Sequence, residues 1–168
     1  MNTIKGHVWF FGDNVDTDQI LPGYAMAEDF SGLGQYAMAG SKIPDFAKKV
    51  KLGDIIVAGK NFGCGSSREQ APVALKAAGV SLIIAESFAR IFRRNAINIG
   101  LPVLMGEMQE AVSQGEQIEV DLERGIVITA EREINASALS ANVLAIIAAG
   151  GLINQVRQEL GIENTIRP

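Results

Sequence analysis

Cysteine and histidine are nearly absent from this chain of 168 residues, which has one of each, Cys64 and His7. A single cysteine excludes an internal disulfide. It also excludes an iron–sulfur cluster or a Cys-rich zinc site held by this chain alone, since such sites need three or four ligands. One histidine leaves no basis for a His-based metal site. We therefore predict no metal centre on this chain.

Positive charge and long apolar runs are also scarce. Lys and Arg total 15 against 19 Asp and Glu, a net charge of −4 with no basic run, so we expect no nucleic-acid partner. The longest apolar stretch near the end, residues 143–153, is too short and too rich in Gly and Ala to span a bilayer. The first residues lack the pattern of a signal peptide. We expect a cytoplasmic protein with no membrane partner.

The composition is that of an ordinary globular protein, with 48% apolar and 20% charged residues. This length predicts one domain over residues 1–168, since nothing in the sequence reads as a linker or a repeat. Strand and helix patterns alternate, which favours an α/β fold in which a later hairpin adds antiparallel strands. Strands are predicted at 4–11, 54–58, 80–85 and 101–105, a hairpin at 118–122 and 126–129, and helical segments within 23–49, after Glu69, at 88–97 and at 137–160, the last interrupted at Gly150-Gly151.

Two serines are predicted to cap the first turn of a helix. Ser66 and Glu69 fit the S-x-x-E capping box, in which the hydroxyl and the carboxylate satisfy free N–H groups at the start of a helix. Gly79 is placed to end that helix. Ser87 is placed to cap the next one.

The loop around residues 63–68, GCGSSR, joins a strand to a helix. Free N–H groups, the helix dipole and the guanidinium fork of Arg68 predict an anion site. The alternative is an ordinary helix cap after a tight turn. The phosphate-loop pattern is absent, because Lys60 precedes the glycines. Cys64 could be a nucleophile at the start of a helix, but the favoured interpretation is that it is a small residue packed in a crowded turn.

Three other groups of residues are candidates for a functional role. The triplet Asp16-Thr17-Asp18 could bind a metal, although such a triplet is more often a turn with side-chain caps. The arginines at positions 90, 93 and 94 are interpreted as a solvated or salt-bridged face of the second helix or as the rim of a contact with a partner. His7 and Trp9 alternate on a strand and are interpreted as structural.

Three segments carry a family resemblance: GDNVDTDQILP at 12–22, GKNFGCGSSREQAPVALKAAGV at 59–80 and IIAESFARIFRRNAINIGLPVL at 83–104. In this order they resemble the small subunits of the 3-isopropylmalate dehydratase and homoaconitase branch of the aconitase superfamily. The ending LAIIAAGGLINQV is similar to the tail of the short, archaeal-type members. The resemblance implies an aconitase-like swivelling domain, a three-layer β/β/α arrangement with a mixed sheet and a β-hairpin.

The resemblance also implies a partner and a chemistry. A large subunit would carry a [4Fe–4S] cluster, and the small subunit would be active only with it. The reaction would dehydrate or isomerise a 2-hydroxy dicarboxylate. Ser66 matches the catalytic base of the family, and Ser67 and Arg68 match positions that hold a substrate carboxylate. An isolated small subunit could also self-associate through the apolar surface meant for its partner.

Substrate choice in this family depends on the loop that here contains Tyr24, Ala25 and Met26. The sequence has no Arg or Lys between Ile20 and Ser41, so a third carboxylate would find no cation there. An apolar-substituted malate is therefore expected, above all 3-isopropylmalate, the intermediate of leucine biosynthesis. A dimethylmalate- or homoaconitate-type dehydratase is the alternative. A stand-alone anion-binding regulatory module is the alternative of another class.

Overall fold

The computed structural model describes residues 2–162. Its helices are α1 (Thr17–Ile20), α2 (Phe46–Lys49), α3 (Gln70–Ala78), α4 (Arg90–Asn98), α5 (Ala141–Ala148) and α6 (Leu152–Glu159), with 3₁₀ segments at Gly23–Ala27 and Phe30–Tyr36. Its strands are β1 (Thr3–Phe10), β2 (Ile55–Ala58), β3 (Leu82–Ala85), β4 (Val103–Met105), β5 (Gln117–Asp121), β6 (Ile126–Ile128) and β7 (Glu133–Asn135).

All seven strands form one mixed sheet in the order β4-β3-β2-β1-β5-β6-β7. The first four strands run parallel, and β1 pairs with β2 so that Val8 lies opposite Ile55. On its other side β1 pairs antiparallel with β5, and β6 and β7 continue as a meander. β1 is thus the strand at which the parallel half becomes antiparallel.

The parallel strands are buried on both faces because two separate cores cover them. Ile56 and Ile83 face one core, which the helices and the 3₁₀ segments complete. Their neighbours Ile55 and Ile84 face a second core together with Val120 of the meander. Side chains alternate between the faces of a strand, so adjacent residues enter different cores. The sheet curls until its meander half covers its parallel half, which confirms the predicted three-layer arrangement with a mixed sheet and a hairpin.

Both predicted serine caps are wrong. α3 begins at Gln70 and α4 at Arg90, and neither has a side-chain cap. The Ser66 hydroxyl instead bonds Thr17, 49 residues away, and the Ser87 hydroxyl accepts from the backbone N–H of Asn61. Each hydroxyl joins two loops rather than starting a helix. Gly79 does end α3, in the left-handed region with φ +116°.

Two short elements fall outside the predictions. α1 begins within the triplet that was interpreted as a turn, and β7 lies just before the predicted terminal helical region. That region becomes helical only from Ala141, where Ser140 accepts a hydrogen bond from the Val143 N–H. The predicted break at Gly150-Gly151 is confirmed, since it separates α5 from α6. Within residues 2–162, no helix has the length and apolarity needed for a membrane crossing.

Candidate functional site

Three loops meet at one edge of the sheet because β1, β2 and β3 are parallel and their carboxyl ends lie side by side. The loop after β2 is the middle one. Its Gly63 N–H donates to the Val15 carbonyl at 2.7 Å, and the Thr17 N–H donates to the Cys64 carbonyl at 2.9 Å. On the other side, the Phe62 N–H donates to the Ser87 carbonyl at 3.0 Å. These backbone bonds hold the GCGSSR loop between its neighbours.

A cavity of about 200 Å³ opens at this edge. One wall is the Ser66-Ser67-Arg68 segment together with Thr17, and the opposite wall is the start of α4, residues 89–92. α4 has no side-chain cap, so its first N–H groups carry the positive end of the helix dipole towards this wall. Ile91 adds an apolar side chain that is 44% exposed. An anion with an apolar substituent suits these walls.

Ser66 is exposed, lines this cavity and is hydrogen-bonded to Thr17. Its Oγ lies 3.2 Å from the Oγ1 of Thr17, and either hydroxyl can donate. Thr17 is buried, with 3% of its surface exposed. A buried hydroxyl needs a partner, and the partner here is Ser66. The contact fixes the position of the Ser66 hydroxyl at the cavity wall.

Arg68 is held by two acceptors from the loop after β1. Its Nη1 donates to the Asp18 carboxylate and, at 2.9 Å, to the Leu21 carbonyl. The Arg68 side chain is only 21% exposed, whereas that of Asp18 is 70% exposed. The guanidinium therefore has a defined direction, and its remaining N–H groups, which have no side-chain partner among residues 2–162, can bind a carboxylate.

The three residues of the triplet Asp16-Thr17-Asp18 have different roles, which the sequence did not reveal. Asp16 acts as a side-chain cap, as interpreted, but it caps the helix α1 rather than a turn and accepts from the Gln19 N–H at 2.8 Å. Thr17 and Asp18 contact Ser66 and Arg68, and sequence reasoning missed both contacts. No local pattern could have found them, because the partners are 49 and 50 residues apart. The sequence showed only that a polar segment follows each of the strands predicted at 4–11 and 54–58.

The structure does not bring the loop of Tyr24, Ala25 and Met26 to the cavity wall. Tyr24 is 71% exposed and packs edge-on against Tyr36, whereas Ala25 is fully buried in the core and Met26 is half-buried. The Glu28 carboxylate beside Tyr36 raises the pKa of that phenol above its usual range. The loop begins at Pro22, next to the Leu21 carbonyl that Arg68 binds. Only Tyr24 of the three presents most of its side chain to solvent.

His7 and Cys64 lie in different surroundings. His7 is on β1 beside Asp54, a buried carboxylate that also accepts from the Trp9 indole N–H at 2.8 Å. Cys64 is half-buried in the GCGSSR loop. Across residues 2–162, no three His, Cys, Asp or Glu side chains come together as metal ligands.

Gly63 is essential to the geometry of this loop. Its φ is +83°, and a Cβ at this position would come within 2.2 Å of the Phe92 ring. We expect Gly63→Ala to lower the free energy of unfolding by about 3 kcal/mol, through backbone strain and overpacking together. Chemical denaturation of the isolated chain measures the change.

Gly12 provides the matched control in the neighbouring loop. A Cβ there would meet nothing within 4 Å. Gly12→Ala should therefore change the stability by no more than about 0.5 kcal/mol. Equal stabilities of the two variants would contradict the close packing of Gly63 on Phe92.

A family model described as the aconitase C-terminal domain matches residues 20–107, just over half of the chain. This range includes the GCGSSR loop, α3, β3 and α4. It therefore covers both walls of the cavity except for Thr17.

The comparisons also find similar curated proteins and a solved structure. The chain is 54% identical to the methanogen homoaconitase small subunit of Methanothermobacter thermautotrophicus, over 90% of this chain and 89% of that one. It is 51% identical to the isopropylmalate/citramalate isomerase small subunit of Methanocaldococcus jannaschii, over 94% and 95%. A crystal structure of 3-isopropylmalate dehydratase from Methanocaldococcus jannaschii superposes with a TM-score of 0.87 at 44% identity, over 94% and 95% of the two chains.

Proposed function

The chain belongs to the aconitase C-terminal domain family, among its 3-isopropylmalate dehydratase-type small subunits, and from this we propose a reaction and a partner. We propose that it works with a larger subunit to dehydrate a substituted malate and, as an isomerase, to rehydrate the alkene at the neighbouring carbon. The main support is identity near one half along almost the whole length of such small subunits.

Ser66 is the proposed base. It removes the proton from the carbon beside a substrate carboxylate. The electron pair of the broken C–H bond then forms the carbon–carbon double bond, while the hydroxyl leaves the neighbouring carbon. Serine is a weak base unless its alkoxide is stabilised. Thr17 Oγ1, 3.2 Å from the Ser66 Oγ, can donate to that alkoxide, and the uncapped start of α4 lowers its energy further.

Arg68 and Ser67 are the proposed carboxylate binders. Asp18 and the Leu21 carbonyl hold one nitrogen of the guanidinium, so the fork keeps its direction while the other N–H groups bind the substrate. Ser67 is exposed beside it on the same wall. These two residues would hold the carboxylate so that the adjacent C–H bond faces Ser66.

The cluster of the proposed mechanism belongs to the larger subunit. The residues of this chain do not fit it: one cysteine and a distant histidine cannot supply its ligands. In the complete enzyme a [4Fe–4S] cluster would supply a Lewis acid for the departing hydroxyl. The contribution of this chain is the base and the carboxylate site.

The proposed substrate is 3-isopropylmalate. Ile91 gives the cavity an exposed apolar side chain suited to an alkyl group. The loop of Tyr24, Ala25 and Met26 does not line this cavity but begins beside the Leu21 carbonyl that Arg68 binds; it is the proposed specificity loop, and it carries no cation. Glu28 would repel an additional carboxylate. A second candidate is homoaconitate, because a relative named as a homoaconitase small subunit has 54% identity.

Reconstitution tests the proposal. We expect the isolated chain to be inactive, and the chain captured anaerobically with its larger subunit, containing iron and sulfide, to turn over one compound of a panel, by dehydration of a malate or by hydration of an alkene acid. The panel should contain 3-isopropylmalate, a dimethylmalate and homoaconitate. A preference for the isopropyl compound of at least about tenfold in kcat/KM is expected, since an apolar pocket discriminates by about 1–3 kcal/mol.

Two results would count against the proposal. Preference for homoaconitate would move the substrate to the second candidate and leave the mechanism in place. Tight dicarboxylate binding by the isolated chain, seen as a rise in its melting temperature, together with no iron–sulfur partner, would favour a stand-alone anion-binding module.

A further inference from the structure

A second cavity lies on the outer side of α4, and we call it the arginine groove. It has a volume of about 500 Å³. Its cations are Arg90, Arg93 and Arg94, at spacings of three and four residues that place them on one side of the helix. The apolar part of its lining includes Phe88 and Met105, and Met105 is 37% exposed. The groove thus combines three positive charges with an apolar floor.

None of the three guanidinium groups has a partner among the described residues. The ion pairs of residues 2–162 involve other side chains, and no side-chain hydrogen bond reaches any of the three arginines. The Nε of Arg93 is buried and has no acceptor in this part of the chain. A buried donor without an acceptor destabilises the folded chain. The buried Arg93 Nε–H therefore needs an acceptor that residues 2–162 do not supply.

The position of these arginines is also unfavourable for the isolated chain. Arg90 is the first residue of α4, and the positive end of the helix dipole repels cations there. Like charges three and four residues apart on one helix repel each other. The chain as a whole is acidic, with a net charge of −4, yet α4 contains no acidic residue. A negatively charged surface against the groove would relieve all three penalties.

The groove is continuous with the cavity of Ser66. Arg90 lines both, so the two openings lie on adjoining parts of one surface. Under the proposed function, on which this inference rests, the larger subunit must cover the Ser66 cavity to bring its cluster to the substrate. Any protein that covers that cavity comes against Arg90 and then reaches the groove.

We infer that the arginine groove docks a carboxylate-rich segment of the larger subunit beside the active site. The segment presents Asp or Glu side chains to Arg93 and Arg94 and apolar atoms to Met105. Charge complementarity here orients the two subunits and speeds their association. The interaction contributes to assembly rather than to the chemical step.

The test is a double charge reversal, Arg93→Glu with Arg94→Glu, in the full chain. Arg90 stays unchanged because it lines the catalytic cavity. We expect the Kd for the larger subunit to rise about 10–100-fold, with a weaker dependence on salt, as for charged interface pairs. At saturating larger subunit, kcat should stay within about twofold of the unchanged protein.

A matched control reverses two exposed arginines of the meander, Arg124→Glu with Arg132→Glu. It changes the net charge equally and should leave the Kd nearly unchanged. Arg94→Glu alone, at an exposed position, is the second variant and should raise the Kd in the same direction. A Kd equal to that of the control, or a lower kcat at an unchanged Kd, would overturn the docking role.

The unchanged protein separates the two proposals. If it binds the larger subunit and is active while the groove variants bind equally well, only the docking inference fails. If it neither binds nor turns over any malate with that subunit, the proposed function fails and the inference falls with it.

Discussion

Ser66→Ala is expected to reduce kcat of the reconstituted enzyme roughly 10³-fold, within the range for the loss of a positioned base. The methyl group of alanine cannot accept the proton, while the rest of the cavity stays in place. The Kd for the larger subunit should change little, because Ser66 is exposed, whereas the melting temperature should fall by a few degrees, because the buried Thr17 hydroxyl loses its partner. Steady-state kinetics at saturating larger subunit measures the loss.

Two comparisons make this result specific. Ser113→Ala removes another exposed hydroxyl, in the loop before β5, and should leave kcat unchanged. Ser67→Ala should act mainly on KM, since Ser67 is assigned to substrate binding. A Ser66→Ala complex with normal turnover would return Ser66 to a purely structural role as the partner of Thr17.

Arg68→Lys is expected to lower kcat/KM about 10²-fold, the equivalent of one or more charge-assisted hydrogen bonds worth about 1.5–3 kcal/mol each. The substitution keeps the positive charge and removes the fork. A single ammonium group cannot bond Asp18, the Leu21 carbonyl and a substrate carboxylate in fixed directions. The loss should appear in KM as well as in kcat, because both substrate binding and its alignment on Ser66 depend on Arg68.

Arg124→Lys is the matched control, at an exposed position of the β5–β6 turn, and should have no effect on the kinetics. The melting temperature of Arg68→Lys must also be measured, since Arg68 bonds the loop after β1. Unchanged kcat/KM in a stably folded Arg68→Lys complex would show that charge alone suffices and that the fork plays no part.

Much of the fold follows from local patterns. The fully apolar runs of β2 and β3 predict strands buried on both faces, and their alternation with helices predicts an α/β sheet. The hairpin at β5 and β6 follows from the two-residue periodicity with one wet face. Gly79 ends α3 because only glycine readily takes its left-handed backbone. These elements depend on residues close together in the chain.

The errors occur where distant residues decide the structure. The S-x-x-E pattern favours a cap at Ser66, but its hydroxyl is used by Thr17 from another loop. In the same way, the Ser87 hydroxyl accepts from the Asn61 N–H of another loop and does not cap α4. β7 has three residues, and only its pairing with β6 makes it a strand.

The sequence by itself determined the family, the α/β class, the absence of cluster ligands and the candidates Ser66, Ser67 and Arg68. It did so because composition, short motifs and periodicity are properties of neighbouring residues. Only the tertiary structure decided that Thr17 lies behind Ser66, that Asp18 directs Arg68 and that Ala25 is buried. The first two contacts span about fifty residues, and they exist because the carboxyl ends of β1 and β2 lie side by side in a parallel sheet.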